Sequence, residues 1–71
     1  MEDVIIRSIN AHIASYLAYN GKKINWLAEQ LGISRLTFYN KRKGVTDWRL
    51  SEVVKLSEIM DVSLDTLAGL N

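Results

Sequence analysis

Four cations and no acid fall within "LGISRLTFYNKRKG", the stretch from Leu31 to Gly44. Arg35 stands early in it, Lys41, Arg42 and Lys43 close it, and Phe38 and Tyr39 lie between them. Side chains of this kind pair with anionic oxygens. Such a run is either a solvated face or a face built to meet a polyanion. Catalysis and metal binding have less to work with. There is no cysteine, which excludes disulfides and thiolate sites. His12 is the only histidine, so a zinc site would have to lean on carboxylates. It reads as a surface or boundary residue of the first helix. Ser15, Ser51 and Ser57 have no histidine base at motif spacing, and no glycine loop for phosphate is present. The expectation is no enzyme, no cofactor and no metal.

The charge is unevenly spread along the 71 residues. Residues 1–21 balance at −1, through Glu2, Asp3 and Arg7. Residues 22–49 carry seven cations against Glu29 and Asp47, a balance of +5. Residues 50–71 set Lys55 against Glu52, Glu58, Asp61 and Asp65, a balance of −3. A basic middle thus lies between acidic ends. The start does not read as a signal peptide, because it is acidic and no long apolar run follows. No stretch is apolar enough to span a membrane. A soluble cytoplasmic protein is expected.

Five elements must position these charges. The chain has no proline, and its four glycines fall between apolar stripes. Ile6, Ile9, Ile13 and Leu17 mark a helix from about Asp3 to Tyr19, stopped by Asn20-Gly21. Ile24, Leu27, Ala28 and Leu31 mark a second, ended by Gly32. Ser34 offers its hydroxyl to the start of a third, about Arg35 to Arg42, with Gly44 as its cap. A fourth starts at Asp47 or as late as Arg49. It would bury Leu50, Val53, Val54, Ser57 and Met60, with Leu56 and Ile59 widening the stripe. Ser63 caps a short fifth helix, with Asp65 in its first turn and Leu64, Leu67 and Leu70 on its apolar side. The second and third helices are joined by Gly32-Ile33-Ser34 alone. Such helices cross steeply, as in a helix-turn-helix, with Ala28 at the contact, Gly32 at the corner, and Ile33 and Phe38 as plugs.

With those residues in place, "INWLAEQLGISRLTFYNKRKG" resembles the helix-turn-helix of the Cro-like, or phage-repressor, family. Leu27, Ala28, Gly32, Ile33 and Ser34 match its pattern, Phe38 falls on its buried position and Gly44 on its closing glycine. "LSEVVKLSEIMDVSLDTLAGL" is similar to its fourth and fifth helices, so the likeness runs roughly from Ile13 to Leu70. There are departures. Ile24 stands where many members place a phosphate-touching glutamine. Leu17 and Arg42 stand where many pair an arginine with a glutamate. Lys41 stands where a large apolar residue is common.

The resemblance implies an all-α, five-helix lambda-repressor-like fold; the first ten or so residues lie outside it, and residues 1–71 are expected to form a single helix-turn-helix domain. It implies a sequence-specific regulator of transcription that binds double-stranded DNA, with a recognition helix at about residues 34–42 in the major groove. Arg35, Leu36, Tyr39 and Asn40 then face the bases: Arg35 toward guanine, Asn40 toward adenine or a phosphate. Leu36 either presses on a thymine methyl or packs in the core. Tyr39 either donates to a phosphate or packs half-buried. Lys22, Lys23, Ser34, Lys41, Arg42 and Lys43 hold the backbone. Trp26 and Trp48 cover the core edge, and Trp26 could instead offer its indole N–H to a phosphate. A weak homodimer on an operator is implied, with Leu64, Leu67 and Leu70 either supplying its apolar surface or only closing the core. Two other readings stay open. One is a protein-interaction module of antirepressor or antitoxin type on the same fold. The other is the DNA-binding fragment of a longer repressor.

Overall fold

Each break in the apolar stripes is a place where the backbone must leave the helix. A computed structural model, which describes residues 3–70, places the helix ends at those breaks. α1 spans Asp3–Asn20, α2 Ile24–Leu31, α3 Arg35–Lys43, α4 Leu50–Met60 and α5 Leu64–Ala68. The fold is all-α, with no strand among the described residues. None of these helices is long and apolar enough to cross a membrane.

The turn between α2 and α3 shows how local chemistry sets the motif. Gly32 takes φ 71°, the left-handed region where a side chain would be strained. Its N–H donates to the Glu29 carbonyl at 3.0 Å, and the Ile33 N–H to the Ala28 carbonyl at 3.1 Å. Two carbonyls left over at the end of α2 are thereby satisfied. Ser34 then opens α3 by accepting the Thr37 N–H at 3.0 Å. Ser63 does the same for α5, accepting the Thr66 N–H at 3.1 Å.

The core draws on every helix. Ile9, Ile13 and Leu17 come from α1, Leu27 and Ala28 from α2, Phe38 from α3, Val53 and Leu56 from α4, and Leu67 from α5. Phe38 has no exposed surface and is the plug beneath α3.

The expected fourth helix needs correction at its start. Leu50, expected inside, is 75% exposed. The later of the two candidate starts is the observed one, with Arg49 as N-cap, so the inward face begins a turn further on. Leu56, expected at the margin of that face, is completely buried. The room at the core edge goes instead to Trp48, only 5% exposed, which meets Phe38 edge to face at 5.7 Å. Leu67 of α5 closes the core, while Leu64 and, beyond the end of that helix, Leu70 are exposed.

Candidate nucleic-acid interface

α3 has two faces of opposite character. Phe38 and Lys41 point inward and are buried. Leu36, Tyr39 and Lys43 stand three and four residues apart, the spacing that brings side chains together on one face of a helix, and all three are exposed. Arg35 and Asn40 flank them, the first exposed and the second half-buried. Leu36 is 68% exposed and Tyr39 55%, so neither is a core residue. The Lys43 ammonium lies 5.1 Å from the Tyr39 ring centroid, a cation–π distance that steadies both side chains on the face. α3 holds no acid, and its last turn is wholly basic.

The basic run separates into three different environments. Lys43 projects into solvent beside Tyr39. Arg42 is half-buried: its Nε donates to the Asn10 side-chain carbonyl at 3.4 Å, while the Asn10 amide donates to the Arg42 carbonyl at 2.8 Å. The α1 residue facing Arg42 is therefore Asn10, while Leu17 belongs to the core. Lys41, expected to hold a phosphate, is corrected to a buried structural residue. It is 4% exposed, its ammonium sits 2.7 Å from a Glu52 carboxylate oxygen, and it donates to the Asp47 carbonyl at 3.0 Å. The physical reason is direction: Lys41 lies on the core side of α3, where a charge survives only if paired and hydrogen-bonded. The same Glu52 oxygen accepts the Arg49 N–H at 2.8 Å, so one carboxylate ties the end of α3 to the start of α4. Burial pushes the Glu52 carboxyl up. The Lys41 hydrogen bond, the Arg49 N–H and the nearby positive charges outweigh it and hold the group below the ordinary glutamate range.

The remaining expected residues sit near the start of the motif. Lys22 and Lys23 are exposed in the connection before α2, and the Lys22 ammonium lies 5.1 Å from the ring centroid of Trp26. Trp26 is half-buried and stacks on Tyr16. The Ser34 hydroxyl is engaged locally, accepting from Thr37 N–H and donating to Thr37 Oγ1 at 2.8 Å. Sequence reasoning passed over two exposed polar residues. Asn25 shares a shallow cleft of about 300 Å³ with Ser34 and Arg35. Arg49 is the N-cap of α4, and beyond its place as a candidate helix start its only signal was membership of the basic middle segment. His12 Nδ1 lies 2.8 Å from the Ser8 carbonyl, as its donor. No group of three metal-ligating side chains occurs among the described residues.

One comparison with known proteins bears on this arrangement. A family model described as the Cro/C1-type HTH DNA-binding domain matches residues 12–71. No curated protein and no solved structure matches the chain.

Proposed function

The chain belongs to the Cro/C1-type helix-turn-helix DNA-binding domain family, and from that premise we propose that it is a single-domain, sequence-specific transcriptional regulator of repressor type. α3 lies in the major groove of duplex DNA, which is wide enough to admit a helix. The observation that carries this reading is the acid-free outer face of α3, with Arg35 at its start and Lys43 at its end. Arg35, Leu36, Tyr39 and Asn40 read bases, and Lys22, Lys23, Arg42 and Lys43 hold phosphates. The chain acts in the cytoplasm of a bacterial or phage-infected cell. It works as a weak homodimer on half-sites about 34 Å apart, using the exposed Leu64 and Leu70 beside the end of the core. Sedimentation with and without a two-half-site duplex tests the dimer, and a strict monomer at full affinity on one half-site rejects it.

Arg35 and Lys43 separate reading from holding. Arg35→Ala costs about 1–3 kcal/mol on the preferred site and relaxes preference at one base pair. Lys43→Ala weakens all duplexes alike and lowers the salt slope by about one unit. Titrating both variants against the preferred site and a scrambled duplex checks the contrast. The reverse pattern would mean that α3 docks in the opposite sense.

Salt gives the second test. With Lys41 withdrawn into the core, four cations are left for phosphates in each subunit. Counterion release then sets a log–log slope of about −3.6 per subunit. Binding indifferent to salt between low and physiological strength would reject the DNA reading.

A further inference from the structure

The first turn of α3 exposes an apolar side chain on its outer face, and a major groove offers little for such a side chain to meet. Leu36 stands beside Arg35 near the start of that face, one turn before Tyr39, and is about two-thirds exposed. It cannot turn inward, because Phe38 and Lys41 fill the core side of the same helix. Set against a donor or acceptor on a base edge, leucine would strip water from that group and return no hydrogen bond. The apolar group displayed in the major groove is the C5-methyl of thymine. Cytosine methylated at C5 displays the same methyl from the same ring carbon.

We propose that Leu36 reads a pyrimidine C5-methyl group, and that it accepts the methyl of 5-methylcytosine as it does that of thymine. This rests on the DNA-binding reading and deepens it: operator binding by this chain responds to cytosine methylation at one step of each half-site. Arg35 and Asn40, to either side of Leu36, supply the polar reading of neighbouring bases. The contact needs no hydrogen-bonding pattern from the methylated base itself, which is why two different base pairs satisfy it.

The test starts from a preferred site selected by the chain from a random duplex pool. Each thymine of that site is replaced singly by deoxyuridine, which removes only the methyl group. One thymine per half-site should give about fourfold weaker binding, the amount that burial of one such group supplies. At that step, a 5-methylcytosine–guanine pair should bind about fourfold more tightly than the cytosine–guanine pair. Leu36→Ala should abolish both differences, and its exposure means that the variant melts with the parent. Arg35→Ala should keep both differences while lowering affinity. Deoxyuridine duplexes that all bind like the thymine parent would overturn the proposal, and so would full methyl discrimination by Leu36→Ala. The deoxyuridine scan needs no variant, so folding of the variant does not limit it. Selective, salt-dependent binding without any methyl effect removes this proposal alone. Failure to bind any duplex removes the DNA-binding reading together with it.

Discussion

Lys41→Ala is expected to lose about 3–5 kcal/mol of stability, although it removes a charge from a segment rich in them. The substitution leaves the Glu52 carboxylate, with 12% of its side chain exposed, without the ammonium now 2.7 Å away. It also removes the hydrogen bond that Lys41 donates to the Asp47 carbonyl. A solvated lysine would give a change within about 0.5 kcal/mol, so the two views are well separated. The joint replacement Lys41→Met with Glu52→Gln should recover most of the loss. Methionine fills the site with apolar volume, and glutamine can still accept the Arg49 N–H. Replacing a buried pair by neutral groups is often neutral or stabilising, while breaking it is not. Urea unfolding of the single and double variants decides the matter. A Lys41→Ala protein that unfolds with the parent would show that this ammonium is not buried in solution.

The same pair sets an acid limb. The Glu52 carboxyl is held below its ordinary value in the folded chain. Its contribution is therefore fully present above the unfolded-state glutamate pKa and is lost as pH falls through the folded-state value. The stability gap between the parent and Glu52→Gln should be constant near neutrality. It should close at acid pH, once the carboxyl is protonated in both states.

Phe38→Ala is the other large effect, at about 3–5 kcal/mol. Phe38 is fully buried, and its ring is the partner of Trp48 at 5.7 Å. Removing it leaves a cavity directly beneath α3 and strips one face of the tryptophan. Small domains hold only roughly 0.05–0.15 kcal/mol per residue, so much of the variant should be unfolded at room temperature. Thermal melting followed by tryptophan emission measures it, since Trp48 lies against the lost ring. A melting curve that superimposes on the parent's would place Phe38 outside the core.

The helices were legible because their signals are local. Stripes at helical spacing, Gly32 and Gly44 as stops, and Ser34 and Ser63 as caps all act within a turn or so of backbone. α2 and α3 accordingly lie where these residues require. The plug at Phe38 was legible for the same reason, since it follows from the spacing of the motif. Fates settled between helices were not. Lys41 reads as one cation among three until α4 brings Glu52 against it. Arg42 reads as a fully solvated cation until Asn10 arrives from α1. Leu50 fits a helical stripe, yet the chain enters α4 through Trp48, which already fills that edge of the core. By itself the sequence determined where the helices begin and end and which motif they form, because capping and periodicity are short-range. Only the tertiary structure decided which cations face solvent and which apolar residues face the core. A long side chain is solvated or paired according to the groups that distant segments bring beside it, and burying it unpaired is too costly to persist.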